Sequence, residues 1–150
     1  MTLKKSKVFL KTLISESNKS KEIKIYKKFI DVLTSIENRE FSTYQIELIE
    51  KELTILNLKQ PAKNKKRHIK QKLNQFVEYL DSEYSLILED HYADLGMKIG
   101  LVLGMALGTF LLRNSGGSAI GMCFGILIGF GIGKYMDKEA AKQNQVLKIA

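Results

Sequence analysis

Apolar residues recur every three or four positions through most of residues 19–94, which is the spacing of one buried face of an α-helix. The pattern predicts an amphipathic helix over residues 19–37, a second helix that begins at Ser42, and a long helix from about residue 64. Ser42 and Gln45 have the spacing of a capping box. Together the three helices predict a small bundle. Its expected core positions are Ile23, Tyr26, Phe29, Ile30, Leu33 and Ile36, then Ile46, Ile49, Leu53 and Leu56, then Ile69, Leu73, Phe76, Val77, Leu80, Tyr84, Ile87 and Leu88.

The segments next to these helices have a weaker pattern. Residues 1–18 are basic and form either a frayed tail or a short helix. We favour a weakly packed helix whose contacts run through Val8, Phe9, Leu13 and Ile14. Pro61 marks a connection over residues 57–64. The long helix is expected to continue toward the apolar segment that follows residue 94, because nothing in its stripe interrupts it.

The pattern changes at residue 95, where two almost wholly apolar stretches begin. They cover residues 95–112 and 118–135, and a turn-forming sequence at 113–117 separates them. Each stretch has 18 residues. As a helix it would measure about 27 Å, slightly less than the hydrocarbon core of a bilayer. Lys98 lies near one end, where its long side chain reaches the headgroups. It leaves only residues 99–112 of the first stretch uncharged, a length that also fits a buried or re-entrant segment. The sequence therefore predicts a transmembrane helical hairpin, followed by a polar tail over residues 136–150.

Glycine strengthens this prediction, because all 11 glycines of the chain lie between Gly96 and Gly133. In water a glycine costs a helix about 1 kcal/mol relative to alanine. In a bilayer the backbone must be helical anyway, and glycine lets two helices approach closely. Gly104 and Gly125, near the centres of their stretches, are expected at such a contact, either within one hairpin or between copies. The predicted helix-packing residues are Gly96, Gly100, Gly104, Gly108, Gly117, Gly121, Gly125, Gly129 and Gly133.

Charge is distributed in blocks. The chain has a net charge of +8, with Lys and Arg concentrated before residue 73 and only acidic charges from residue 73 to residue 94. The densest basic run is a possible contact patch for anionic lipid or nucleic acid. Nucleic acid is not favoured, because no helix-turn-helix, RNA-binding or zinc-finger signature accompanies the charge. An upright long helix would also hold the run about 39 Å from the membrane. A solvated surface is the simpler interpretation. The run comprises Lys63, Lys65, Lys66, Arg67, Lys70 and Lys72.

The charges that flank the hairpin predict its orientation. Lysines cluster at the open end of the hairpin, whereas Arg113 is the one basic residue at the turn. The positive-inside rule then places both termini, and the helical domain, in the cytoplasm. No export signal is evident near Met1. The lysines at the open end are Lys98, Lys134, Lys138 and Lys142.

Catalytic and metal-binding patterns are not found, so the sequence predicts no enzyme activity, cofactor or metal. His91 follows Glu89 and Asp90, but adjacent helical positions point to different faces and cannot converge on one metal. Asp90 and Asp94 share a face, and ordinary interfacial charges explain them better than a weak cation site. Cys123, the only cysteine, is expected to be a small residue within the second stretch.

The hairpin resembles the small glycine-zipper membrane proteins of bacteria over roughly residues 92–142. The residues that carry the resemblance are Leu95-Gly-Met-Lys-Ile-Gly-Leu-Val-Leu-Gly-Met-Ala-Leu-Gly108, Ala119-Ile-Gly-Met-Cys-Phe-Gly125 and Gly129-Phe-Gly-Ile-Gly133. Lys98 and Arg113 depart from the wholly apolar zippers of that family. The resemblance implies a multi-pass protein of the bacterial inner (cytoplasmic) membrane. It implies no activity, because the family is largely uncharacterised.

Two classes of function follow from this organisation. The first is a non-enzymatic membrane protein in which the hairpin contacts lipid, and oligomerises through its glycine faces, while the cytosolic helices bind an unknown protein partner. The alternative is a pore-forming, transport-accessory or membrane-perturbing protein assembled from several hairpins. A pore needs a continuous polar face, and the mildly polar Thr109, Ser115, Ser118 and Cys123 do not form one. The sequence therefore favours the anchored interaction protein.

Overall fold

The computed structural model describes residues 1–62, 64–112 and 117–148, and it is an all-α structure. Of these residues 79 % are helical, which confirms the predicted fold class. Two compact units make up the chain: Met1–Ile87 with Leu147, and Leu88–Val146. The elements are α1 (Leu3–Glu16), α2 (Ser20–Glu37), α3 (Thr43–Ile55), α4 (Lys65–Tyr84), β1 (Ile87–Leu88), α5 (His91–Leu112), α6 (Gly117–Lys142) and β2 (Val146–Leu147), with β1 and β2 paired in a two-stranded sheet.

The first unit is a bundle of the four helices α1–α4. Its centre contains large side chains from α2 and α4, among them Phe29 and Phe76, whose ring centroids are 5.8 Å apart. Most of the core positions expected from helical periodicity are buried here, as are Leu86, Ile87 and Leu147. The buried helical residues are Leu3, Leu10 and Leu13 of α1, Tyr26, Phe29, Val32, Leu33 and Ile36 of α2, Ile49 and Leu53 of α3, and Ile69, Leu73, Phe76 and Leu80 of α4.

The helix α1 is a full member of this bundle, and its buried face matches the expected one only in part: Leu13 is buried as expected, and Phe9 and Ile14 are half-buried. Leu3, Leu10 and Leu13 are buried, with Ser6 between them, at the three- and four-residue spacing of one helix face. Val8 is 64 % exposed, so its expected contact with the bundle is wrong. Lys4, Lys5 and Lys11 are exposed away from this stripe, whereas Lys7 lies at its edge, half-buried, and forms an ion pair with Glu37 of α2.

The start of α3 matches the prediction in detail. The Ser42 hydroxyl accepts a hydrogen bond from the Gln45 backbone N–H at 3.3 Å, and the Gln45 side chain accepts one from the Ser42 N–H at 2.9 Å. These two bonds form a capping box. The helix is followed by Asn57 in the left-handed region (φ 45°), a conformation that asparagine tolerates after a helix.

The helix α4 begins where expected, after Asn64, but it ends at Tyr84. Ser85 adopts a left-handed conformation (φ 53°), and the Leu86 N–H then donates to the Leu80 carbonyl at 3.1 Å. This is the hydrogen bond of a Schellman-type stop, with buried Leu86 next to it. The expectation that the long helix continues to the hairpin is therefore wrong. The 39 Å separation of the basic run from a membrane, which assumed that continuous helix, does not apply.

The second unit is built around α5 and α6, which form a helical hairpin. Both are longer than the 18-residue stretches expected from hydropathy: α5 has 22 residues and α6 has 26. Helix α6 continues through Lys142, so the first part of the expected polar tail is helical. Each helix is long and apolar enough to cross a membrane. Four residues of the expected turn, Arg113, Asn114, Ser115 and Gly116, lie outside the described residues.

Candidate functional site

The contact between α5 and α6 is made by facing rows of glycine, which we call the glycine seam. The partners are Gly96 and Gly129, Gly100 and Gly125, Gly104 and Gly121, and Gly108 and Gly117. As the position rises by four in α5, the position of the partner falls by four in α6, so the helices are antiparallel. The seam joins all but one of the predicted helix-packing glycines in these pairs, and Gly133 completes it against Tyr92 and Ala93.

The seam is a contact of backbone against backbone. At Gly100 a Cβ atom would lie closer than 3.0 Å to the Gly125 carbonyl oxygen, and at Gly125 a Cβ atom would lie closer than 3.0 Å to that of Gly100. The hydrogen that replaces each Cβ therefore points at a carbonyl of the other helix. Reciprocal contacts of this type are Cα–H···O bonds, which contribute about 0.5–1 kcal/mol each. No residue with a side chain fits such a position without moving the helices apart.

The seam also shows which helix each glycine stripe contacts. Gly104 faces both Gly121 and Gly125, so the stripes of the two helices face each other within one chain. This contact does not cover the glycines completely, because the seam also forms the floor of an open groove between the two helices. Gly131 lies off the seam, with nothing within 4 Å of the position of its Cβ atom.

A buried carboxylate closes the open end of the seam. Asp137 follows Gly133 by four residues on the same stripe of α6 and is only 8 % exposed. Its two oxygens accept hydrogen bonds from the backbone N–H groups of Tyr92 and Ala93, each at 2.9 Å. These N–H groups are in the first turn of α5, where they have no partner within the helix. Asp137 thus caps α5 from the neighbouring helix.

Sequence reasoning did not single out Asp137, although a signal was present. The positions 117, 121, 125, 129, 133 and 137 form one four-residue series, and an acidic residue is its last member. A charged group on a close-packed stripe needs a partner, because burial of an unpaired carboxylate is costly. The end of an adjacent helix supplies that partner here.

Exposed ion pairs surround this capped end. Lys134 contacts Asp90 at 2.5 Å, and Lys98 contacts Asp94 at 3.2 Å. Each acid of the weak cation site considered from the sequence is thus paired with an ammonium group. No group of three potential metal ligands is present among residues 1–62, 64–112 and 117–148.

The side chains of the hairpin point outward and are almost all apolar. Two ridges border an open groove whose floor is the glycine seam. Buried residues make up only 17 % of the most apolar 18-residue window of α5 and 6 % of that of α6. Cys123 is exposed on this surface. The ridges consist of Leu95, Ile99, Leu103, Leu107 and Leu111 on α5 and Ile120, Phe124, Ile128, Ile132 and Met136 on α6.

The basic run lies at the start of α4 and does not form one surface. Lys63 is outside the described residues. Lys66 and Lys72 are half-buried on either side of the buried Ile69–Leu73 stripe, while Lys65, Arg67 and Lys70 are exposed. Lys65 pairs with Glu16 at 3.3 Å. The distribution around the helix is that of a solvated amphipathic surface. Two lysines of the run, Lys65 and Lys66, also line an open cavity together with Lys19, Lys21, Glu22 and Asn64.

Comparison with known proteins does not assign this chain to a family. No family model, no curated protein and no solved structure matches the chain. The resemblance to the bacterial glycine-zipper proteins therefore remains a prediction from the hairpin sequence.

Proposed function

We propose that this chain is a non-enzymatic, multi-pass protein of the bacterial inner membrane. In this proposal α5 and α6 anchor the chain in the bilayer, and the bundle α1–α4 binds a protein partner in the cytoplasm. The observation that carries the proposal is the glycine seam. It packs two helices through their backbones and leaves nearly all of their large apolar side chains pointing outward.

Such a surface fits lipid better than water. A soluble monomer rarely exposes an apolar patch larger than a few hundred Å², and the two hairpin helices expose large apolar residues along their whole lengths. A helix from the core of a soluble protein would instead be mostly buried. In a bilayer the outward Leu, Ile and Phe side chains contact acyl chains, and the satisfied helical backbone meets the requirement of the hydrocarbon core.

The length and charge of the helices support a full crossing. The 22 residues of α5 and the 26 of α6 correspond to about 33 Å and 39 Å. Their uncharged parts, residues 99–112 and 117–133, correspond to about 21 Å and 26 Å, so a hydrocarbon core of about 30 Å is crossed with the charged ends in the headgroup layer. Lys98 and Lys134 are paired with Asp94 and Asp90 at one end, where headgroups and water surround them. The basic residues at that end favour its placement in the cytoplasm.

The same surface favours an anchor over a pore. In the described part of the hairpin no polar side chains follow one another along an outward face. The Thr109 hydroxyl donates to the Met105 carbonyl at 2.8 Å within its own helix and offers little to a conduit. We expect no ion flux when the purified chain is reconstituted in liposomes, and a conductance that increases with the amount of protein would favour the pore.

Membrane fractionation tests the anchor. The full chain should sediment with membranes, stay there through alkaline carbonate, which removes peripheral proteins, and enter solution only with detergent. Recovery of the chain in the carbonate supernatant would exclude an integral anchor. A peripheral protein that binds lipid through its lysines serves as the comparison, because high salt releases it.

A further inference from the structure

We infer that the bundle binds a compact, phosphate-bearing ligand in the open cavity between the starts of α2 and α4, which we call the lysine cavity. Residues of the bundle alone form this site. It therefore goes beyond the proposed membrane anchor and protein partner, and it does not depend on the hairpin.

The lysine cavity brings together two segments that are distant in the sequence. Residues 19–22 line it from the start of α2, and Ala62 and residues 64–66 line it from the start of α4. All of them belong to the first compact unit. The cavity has a volume of about 700 Å³. Small-molecule sites commonly have volumes of about 300–1,000 Å³, so a compact ligand has room here.

Positive charge dominates the lining of this cavity. Four of the described lining residues are lysines, and Glu22 is the one acid among them. Glu22 is already engaged, since it accepts a hydrogen bond from the Ser17 hydroxyl at 2.9 Å and contacts the Lys19 ammonium at 3.7 Å. Lys65 contacts Glu16 at 3.3 Å. Two of the four lysines thus have a carboxylate partner. The four are Lys19, Lys21, Lys65 and Lys66.

Lys21 and Lys66 carry the excess charge of the cavity. In the described part of the chain neither of them forms an ion pair. Lys66 is also half-buried, one turn before the buried Ile69 on the same helix. A partly buried charge without a counterion loses hydration and gains no partner in return. The cavity therefore favours a ligand with at least two negative charges, which would neutralise both ammonium groups.

Hydrogen-bond donors at the cavity favour the same kind of ligand. The N-cap residue of α2, Lys19, provides no side-chain acceptor for the first turn of that helix. The backbone N–H groups of Ser20 and Lys21 accordingly have no partner among the described residues. The oxygens of a phosphate group can accept from such N–H groups and from ammonium groups at the same time.

The lining residues also limit the class of the ligand. None of the described residues that line the cavity is aromatic, so a nucleobase has no ring to stack on. Charge and hydrogen-bond donors are what the cavity offers, and a pyrophosphate or a phosphate monoester uses both. Such a group can be free in solution or can belong to the headgroup of an anionic lipid.

Calorimetric titration of inorganic pyrophosphate into the full chain, held in micelles of a non-ionic detergent, tests this site. The parent should bind pyrophosphate at a single saturable site. Lys21→Gln and Lys66→Gln each remove one ammonium group, and each should weaken binding about tenfold or more, because a charge-assisted hydrogen bond is lost. Absence of saturable binding to the parent would overturn the proposal.

The matched control is Lys70→Gln, because Lys70 is an exposed lysine of the same basic run and the same helix that does not line the cavity. It should change the affinity less than about twofold, since salt screens an exposed charge at this distance. Equal weakening by Lys70→Gln and Lys66→Gln would overturn the cavity in favour of a diffuse basic surface, to which an extended polyanion such as nucleic acid binds. Circular dichroism reports that each variant remains helical.

Lipid added to the micelles identifies the source of the phosphate group. If the ligand is a lipid headgroup, phosphatidylglycerol should compete with pyrophosphate for the parent and should not affect what binding remains in Lys66→Gln. If the ligand is free in solution, phosphatidylglycerol should leave the affinity of the parent unchanged. Both results support the site. Phosphatidylcholine has no net charge and is the control, and equal competition by it would contradict a site selected by negative charge.

Discussion

Gly125 and Gly131 lie in the same helix, but Gly125 is packed against the other helix and Gly131 is not. A Cβ atom at Gly125 meets the backbone of Gly100, whereas one at Gly131 meets nothing within 4 Å. Helix propensity alone predicts that alanine stabilises both positions. At Gly125 we expect alanine to destabilise the protein instead, because its Cβ atom would meet rigid backbone that cannot move aside.

We predict that alanine at these two positions changes the free energy of unfolding in opposite directions. Gly125→Ala should lower the free energy of unfolding of the full chain in mixed micelles by about 1–3 kcal/mol, as overpacking does. Gly131→Ala should leave it unchanged or raise it by up to about 1 kcal/mol. Titration with a denaturing detergent, followed by circular dichroism, measures both. Equal effects at the two positions would show that the seam is not a close contact.

A second pair of residues tests the face on which α1 packs. Leu10 is fully buried in the bundle, and Val8 is 64 % exposed two residues away. Leu10→Ala should reduce the free energy of unfolding of the bundle by about 2–5 kcal/mol. Val8→Ala should change it by less than about 0.5 kcal/mol. Urea unfolding of the full chain in mild detergent provides the measurement, and the reverse order of effects would favour the face that includes Val8.

Among the helices, α3 has a capping box whose contribution to stability can be measured. Ser42→Ala removes the acceptor for the Gln45 N–H and should cost about 1 kcal/mol. Hydrogen exchange of the amides in the first turn of α3 should accelerate accordingly. Lys51→Ala, at an exposed position of the same helix, is the control and should leave that exchange unchanged. Unaltered exchange in Ser42→Ala would mean that water replaces the cap without loss.

The helices were predictable wherever the local sequence carries the physical cause. The periodicity of α2 and the Ser42–Gln45 box are local features, and the structure contains both. The end of α4 was not predictable in this way, because Ser85 has no special preference for the left-handed conformation that it adopts. Burial of Leu86 and Ile87 in the bundle accounts for that stop, and burial is a property of the tertiary fold.

The candidate site was likewise only partly predictable from the sequence. Glycine spacing alone indicated which residues of α5 and α6 would pack, but it left the pairing partner open. The partner depends on the register of one helix against the other, which no local pattern determines. Asp137 became recognisable only when its carboxylate lay against the first turn of α5.

At the scale of the whole molecule, two kinds of packing divide the chain. Residues 1–87 contain no glycine and bury large side chains in a bundle, whereas the hairpin buries glycine backbone and exposes large side chains. The first arrangement is that expected in water and the second that expected in lipid. We propose that the hairpin crosses a membrane while the bundle remains in the cytoplasm.

Cysteine accessibility in spheroplasts tests this topology. In a Cys123→Ser background, Asn114→Cys places a thiol in the sequence between the two helices, and Lys51→Cys places one on an exposed position of the bundle. A maleimide that cannot cross membranes should label Asn114→Cys in intact spheroplasts and Lys51→Cys only after the membrane is permeabilised. Protection of both thiols until permeabilisation would contradict a hairpin that spans the membrane.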